Sequence, residues 1–384
     1  MKNKPDNLSA VHSRRTLLEG LAVLVPLAAC APPQNPPRSG LPARSNRPGM
    51  LRVAVASCCN QNQPQPIWDA VLAEAPDHMV FAGDNVYASR QPFDIAALHA
   101  AYVQQAQVAN FRRLRQEVAH SAIWDDHDYG LNDGGADFMH RQASKDAFLE
   151  FWSVPPDDER RARPGLYHAR FLEGPDGRRV QIIVLDTRWW RSALKPTDQR
   201  DAPGKERYLP DADPSKTMLG EEQWRWLEAR LRAPADAHLI VSSIQLLAEG
   251  HGYERWGNLP LERDRFLRTV RHSGARGVVI VSGDRHIGAM YRDATADHRS
   301  VLWEMTSSGV THPWTTANEP GPNRVGPLVR ETHYGLVSFD LAAGMLTLSL
   351  RGLDNQTLQE HSVSMLGRTT HYTHRIDQNP KKAA

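Results

Sequence analysis

The sequence predicts an α/β (α+β) protein, a mixed sheet system with helices packed outside it. Short apolar, β-branched runs alternate with segments of helical spacing. The order is strand–helix–strand early and hairpins late, which argues against an all-parallel sheet. With 40% apolar and 23% charged residues, the 384-residue chain has the balance of a soluble globular protein with a substantial core. The net charge is only +2, so no strong field exists to hold nucleic acid.

Residues 51–57 (LRVAVAS) read as a buried strand, and 67–75 as a helix stopped by Pro76. A second strand covers 79–82, and a third covers 120–124. Helical spacing recurs at 93–107 and 144–152. Residues 167–172 and 180–185 flank the turn signal Gly174-Pro175-Asp176-Gly177 and read as a hairpin. An amphipathic helix at 221–231, a strand at 238–243, a helix at 262–271 and a strand at 278–282 follow. Residues 301–306, 335–340 and 345–351 read as late antiparallel strands. Two Pro- and Gly-rich stretches, 195–216 and 312–329, are long for a compact domain and read as functional walls or lids. The expected organisation is an export signal at 1–30, a flexible linker at 31–49, one domain at 50–363 and a polar tail at 364–384.

Arg14-Arg15 precedes the apolar run 21–29, which is too short to span a bilayer. The pair resembles a twin-arginine export signal, and Leu27-Ala28-Ala29-Cys30 resembles a lipobox with Cys30 as the lipid anchor. The plainer alternative is a cleavable signal with an incidental cysteine. Both place the chain outside the cytoplasm, periplasmic or at the cell surface, with the export machinery as its partner. The remaining cysteines, Cys58 and Cys59, are adjacent and poorly placed to bridge each other. A free thiol in an oxidising compartment calls for a role, and metal ligation is one.

The chemistry concentrates where strands end. Ser57-Cys58 follows VAVA, Gly83-Asp84-Asn85-Val86-Tyr87 follows MVFA, Asp125-Asp126-His127-Asp128 follows SAIW, and Gly283-Asp284-Arg285-His286 follows VVIVS. Strand carboxyl ends form the ligand crevice of open α/β sheets. So many carboxylates share a small volume only if a cation sits among them. Asp oxygens suit hard ions, and imidazole suits zinc and iron. A tyrosinate beside a thiolate favours ferric iron with a divalent partner, and two such ions clamp both oxygens of a phosphoryl transfer. Singly, Asp84 reads as a turn residue, Cys58 as core, Tyr87 as wall, and the acidic triplet as a solvated helix cap. Asp284 and His286, two residues apart on an extended segment, point the same way and suit shared ligation. Arg188 either pairs with Asp186 or reaches a phosphate. Gln245, residues 252–258 and residues 311–314 are candidate pocket walls.

These strings, with Trp124-Asp125-Asp126-His127-Asp128-Tyr129-Gly130-Leu131-Asn132-Asp133 and Leu185-Asp186-Thr187-Arg188 in their order, resemble the alkaline phosphatase D family of the calcineurin-like metallophosphoesterases. The resemblance implies a four-layer αββα sandwich of two mixed sheets with helices outside, and a site pairing Fe3+ with Ca2+. It places Cys58 and Tyr87 on the iron, Asp84 between the ions, Asp126 on the second ion, and Asp284 and His286 as further ligands. It implies His127 over the phosphate as proton donor or charge stabiliser. Asn85, Arg188 and Arg285 are candidate substrate contacts, although Arg285 stands where a small apolar residue is common. The wider superfamily's opening Asp-x-His is absent, with Ser57-Cys58 in its place.

The expected activity is hydrolysis of small phosphate esters, mono- or diesters, by a hydroxide generated between the cations. Alternatives are a phospholipid head-group hydrolase, a non-catalytic metal-binding surface lipoprotein, and a cysteine-nucleophile hydrolase using Cys58 and His127. The last would survive chelation.

Overall fold

The computed structural model describes residues 50–174, 176–293, 301–365 and 374–375. The export signal, Cys30, the linker, His298 and His371 lie outside the described residues, as does the side chain of His374. No helix among the described residues is long and apolar enough to cross a membrane.

The strands are, in chain order, β1 (Met50–Ala56), β2 (His78–Ala82), β3 (His120–Ile123), β4 (His168–Glu173), β5 (Arg179–Val184), β6 (Lys195–Pro196), β7 (Tyr208–Leu209), β8 (Ala237–Val241), β9 (Val278–Ser282), β10 (Gly288–Arg292), β11 (Trp303–Ser307), β12 (Tyr334–Asp340), β13 (Met345–Arg351), β14 (Thr357–Ser364) and β15 (His374–Arg375). One sheet has the order β15-β14-β13-β12-β1-β2-β3, and the other β10-β11-β9-β8-β5-β4. Both are mixed. β1, β2 and β3 run parallel, as do β5, β8, β9 and β11, while β12 to β15, β10 and β4 are antiparallel to their neighbours.

Alternation along the strands builds the layers. Val180, Ile182 and Val184 of β5 join the larger apolar cluster, with Leu239 and Val241 of β8 and Val279 and Val281 of β9. The same cluster holds Val53, Val55, Val80 and Val337 of the other sheet, so these faces pack sheet on sheet. The opposite positions Ile183, Ile240 and Ile280 join a second cluster with Trp224, Leu227 and Phe266. Those last side chains come from the two helices outside that sheet (Gly220–Leu231 and Pro260–Ser273). Helices Ile67–Glu74, Ile95–Gln107, Ala109–Glu117 and Arg141–Phe151 cover the other flank. The four-layer sandwich follows from these two clusters.

Local chemistry sets several boundaries. The helix expected from residue 93 starts at Ile95, because the Asp94 carboxylate accepts from the Ala96 N–H at 2.9 Å. The helix expected at 262–271 runs from Pro260, its first-turn proline, to Ser273, followed by a left-handed Gly274. The helix Ala109–Glu117 and the strands β10 and β14 lie beyond the elements that the sequence pattern predicts. The strand expected at 301–306 is antiparallel only to β10. It lies parallel to β9, with Trp303 opposite Val279. In the segment read as a tail, His374–Arg375 pairs with Glu360 and His361.

Two buried histidines make the fold acid-sensitive. His78 meets Ser121 Oγ at 3.0 Å, and His120 packs on Phe81 and Trp152. Burial holds both below the usual imidazole range, His120 at about 3. Between that value and the unfolded value near 6.5 the unfolded chain binds more protons, so stability is lost as pH falls through this window. The contribution of His120 to the urea midpoint is therefore expected to drop between pH 6.5 and 5. His120→Gln should flatten that drop by about 2 kcal/mol over the interval. An unchanged slope would contradict this assignment.

Candidate metal centre

The parallel strands of both sheets deliver their carboxyl ends to one place. Ser57 Oγ donates to Ser307 O at 3.0 Å, and Ser307 Oγ to Val55 O at 3.1 Å, which ties the end of β1 to the end of β11. Ser243, just after β8, donates to Asp125 Oδ1 at 2.7 Å, which ties β8 to β3. The Gly-Asp pairs exist because these ends nearly touch. A Cβ on Gly83 would lie 2.6 Å from Asp125 Cβ, and one on Gly283 would lie 2.6 Å from Ser57 Oγ.

The backbone is strained where the donors are. Of the nine non-glycine residues with positive φ among the described residues, four are candidate ligands: Cys58 (62°), Asp84 (49°), Asp284 (72°) and His286 (56°). A left-handed turn after each strand aims the side chain into the gap, and such strain persists where the surroundings over-determine it.

Three groups of donors form. Cys58, Asp84 and His286 have donor atoms within 4.8 Å of one another, as do Asp84, Asp126 and His127, and Asp125, Asp126 and Asp284. Asp84 belongs to two groups, as a residue placed between two ions requires. Its Oδ2 accepts from the Tyr87 hydroxyl at 3.3 Å and lies 3.6 Å from Cys58 Sγ, while its Oδ1 accepts from the His127 N–H at 3.1 Å. The Tyr87 hydroxyl also meets His286 Nε2 at 3.1 Å. The half-buried His127 stacks on Tyr87 at 4.1 Å, and Ser89 Oγ holds its Nδ1 at 2.6 Å.

Electrostatics identify what the site lacks. Burial first, then the Asp126 charge, pushes Asp84 well above the usual carboxylate range. Burial also raises Asp284 well above it, moves Asp125 to about 7, and pushes the Cys58 thiol to about 12 and Tyr87 well up. Asp126 alone stays low, at about 2, because His127, Arg188 and the Asp133 N–H outweigh its burial. Asp125 Oδ2 and Asp126 Oδ1 are buried with no hydrogen-bond partner. Orphaned buried carboxylate oxygens in an acidic cluster fit a bound cation. The donor set of thiol, phenol, imidazole and carboxylate fits one softer or trivalent ion beside one hard ion.

The structure redraws five sequence expectations. Asp284 and His286 fall in different donor groups, because their positive φ breaks the extended geometry that would have aligned them. Arg188 is fully buried and pairs with Asp125 and Glu254, its Nε 2.7 Å from Asp125 Oδ1. It therefore offers no open guanidinium to a substrate, and Asp186 takes only its backbone N–H. Asn85 is buried as well, its amide committed to Ile123 O at 2.8 Å and Asp128 Oδ2 at 2.6 Å. Arg285 pairs with Glu319 and stacks 4.0 Å over Tyr253, leaving it little freedom to reach a phosphate. Gln245, a suggested wall, is fully buried against Tyr291 and Thr306. Cys59 sits in the apolar cluster beside Gln105.

No local pattern in the sequence marks Ser243 or Arg191, and Asp125 and Glu254 read there only as part of an acidic cap and of a candidate wall. Arg191 pairs with Glu254 at 3.0 Å, so Asp125–Arg188–Glu254–Arg191 forms one buried ionic chain behind the acidic donors. The long loop 195–216 does form part of the wall. Its Tyr208 hydroxyl donates to Asp133 Oδ2 at 2.8 Å, and the Asp133 N–H donates to Asp126 Oδ2 at 2.8 Å. On the other side His312 packs edge-on against His286 at 4.2 Å.

The sequence profile of PhoD-like phosphatases matches residues 53–341. Alkaline phosphatase D of Bacillus subtilis (strain 168) is 23% identical over 263 residues, which is 63% of this chain and 43% of that protein. The chain thus matches less than half the length of that curated relative. The structure of PhoD superposes with a TM-score of 0.67 at 16% identity, covering 88% of this chain and 74% of that one. Purple acid phosphatase PPD1 from yellow lupin seeds has a TM-score of 0.54 at 12% identity, covering 83% of this chain and 55% of that one. At these identities the two structures attest the sandwich fold.

Proposed function

This chain belongs to the PhoD-like phosphatase family, and from that premise we propose that it hydrolyses phosphate esters with cations held at the converging strand ends. The observation that carries the reading is the strained cluster itself: Cys58, Asp84, Asp284 and His286 in left-handed backbone, around buried carboxylate oxygens that nothing satisfies. We propose Fe3+ beside Cys58 and Tyr87, Ca2+ beside Asp126, and Asp84 between them. Bound there, the two ions supply Lewis acidity to a water and to the phosphoryl oxygens.

The chain's own groups do the rest. Asp84, Asp125, Asp126 and Asp284 set the negative charge that selects and holds cations. Ser89 occupies His127 Nδ1, which leaves Nε2 as the ring nitrogen able to give a proton to the leaving oxygen. The Tyr208–Asp133 bridge holds the wall on the Asp126 side.

The export signal, the Cys30 anchor and a periplasmic or cell-surface location remain part of the proposal. They rest on Arg14-Arg15, the apolar run and Cys30 in the sequence.

The test compares turnover of p-nitrophenyl phosphate and bis(p-nitrophenyl) phosphate before and after dialysis against a strong chelator. Hydrolysis of at least one ester is expected, falling roughly 100-fold or more on metal removal and returning on readdition. Full activity after chelation together with loss on thiol alkylation would assign the chemistry to Cys58 as a nucleophile instead.

A further inference from the structure

We infer that Ser308 is the positioning residue that fixes Cys58 for cation binding, by accepting the His286 backbone N–H and giving its single proton to the Cys58 sulfur. This rests on the reading of Cys58 as a ligand. Ser308 follows β11 and is fully buried. The His286 N–H reaches its oxygen at 2.7 Å, and a backbone N–H is a donor only, so that contact occupies an acceptor lone pair. The hydroxyl has one proton left to place, and Cys58 Sγ lies 3.0 Å away.

The other hydroxyls near Cys58 are committed elsewhere. Ser57 Oγ lies 3.6 Å from the sulfur but donates to Ser307 O at 3.0 Å. Thr311 Oγ1 donates to the Cys58 carbonyl at 3.1 Å. The Tyr87 hydroxyl, also near the sulfur, donates to Asp84 Oδ2 at 3.3 Å, so Ser308 is the hydroxyl whose proton is free for Cys58.

The serine is itself held from behind. Its backbone N–H is shared between Ile287 O at 3.2 Å and His333 Nε2 at 3.3 Å, and His333 Nδ1 meets Glu331 O at 2.7 Å. A carbonyl only accepts, so Nδ1 carries the ring proton and Nε2 is a bare acceptor facing the Ser308 N–H. Ser308 therefore donates both ways along the chain Glu331–His333–Ser308–Cys58, through its N–H toward His333 and through its hydroxyl toward Cys58. One hydroxyl thus couples the ends of β1, β9 and β11 and sets the directions of Cys58 and His286 together. Outer partners of this kind orient metal ligands and tune their donation, and their loss costs 10–100-fold in metal affinity.

The experiment loads the full chain with Co2+ alone and reads the thiolate-to-cobalt charge-transfer absorption and the Co2+ dissociation constant. The variants are Ser308→Thr, which keeps the hydroxyl, and Ser308→Val, its isostere without one. An O–H···S bond withdraws electron density from sulfur, so Ser308→Val should move the band to longer wavelength and weaken Co2+ binding roughly tenfold. Ser308→Thr should match the parent protein. Equal shifts in both variants would assign the effect to bulk and overturn the inference, as would a band at the parent position in Ser308→Val. If neither bulkier variant folds by near-ultraviolet circular dichroism, Ser308→Ala is read in the same way, and an unmoved band there overturns it. Cys58→Ser separates the two claims. A band surviving in that variant refutes Cys58 as a ligand, whereas a band lost in it but unmoved in Ser308→Val refutes only the role of Ser308.

Discussion

Asp84→Asn is expected to lower phosphate-ester hydrolysis by roughly 10³-fold or more, about 4 kcal/mol of transition-state stabilisation, without unfolding the protein. Asp84, like Asp126, is shared by two donor groups, and its Oδ2 faces Cys58 and Tyr87. Asparagine keeps its volume, and its one oxygen can still accept from the His127 N–H. It removes a negative charge and replaces the second oxygen, the one facing Cys58 and Tyr87, with an amide nitrogen that cannot ligate a cation. The metal-free protein should be no less stable than the parent, because burial among like charges already disfavours the Asp84 carboxylate. Activity and the thermal midpoint should therefore separate, with catalysis collapsing and the midpoint holding or rising. Retained hydrolysis would remove Asp84 from the site.

Arg188→Met should have the largest effect on stability, about 3–5 kcal/mol. Arg188 is fully buried between Asp125 and Glu254. The isosteric apolar chain leaves both acids in the interior with reduced compensation, although Ser243 still serves Asp125 and Arg191 still serves Glu254. Lysine should rescue only part of the loss, since its point charge cannot bridge two carboxylates as the planar fork does. Adding Glu254→Gln to Arg188→Met should recover some stability by removing one of the stranded charges. The denaturation midpoint reads this directly, and a shift worth less than about 1 kcal/mol would show that the ion chain is not structural. Hydrolysis by the folded fraction should fall too, because Asp125 shares a donor group with Asp126 and Asp284.

What was legible in the sequence followed from local physics. Buried β-branched strands announce themselves, and a Gly-Asp step at the end of one marks a tight turn bearing a carboxylate. Asp84 and Asp284 are marked in that way, Asp126 by the acidic triplet after the strand, and the structure brings them into neighbouring donor groups. The errors came from geometry and from distance along the chain. Asp284 and His286 part company because both residues turn left-handed, a conformation uncommon for such side chains. Arg188 stays open in the sequence between an Asp186 pair and a phosphate contact, because its partners Asp125 and Glu254 lie 63 and 66 residues away. Ser308 meets Cys58 across 250 residues, and no local pattern marks such a serine. The acidic triplet does begin a short helix, Asp126–Tyr129, but a buried one, since Asp125, Asp126 and Asp128 face the interior.

Elemental analysis of the purified protein beside Asp84→Asn tests most directly whether the crowded carboxylates exist to hold cations. Iron and calcium should be retained by the parent chain, about two ions in all, and largely lost from the variant. A parent protein that hydrolyses phosphate esters at full rate with no stoichiometric cation would contradict the account.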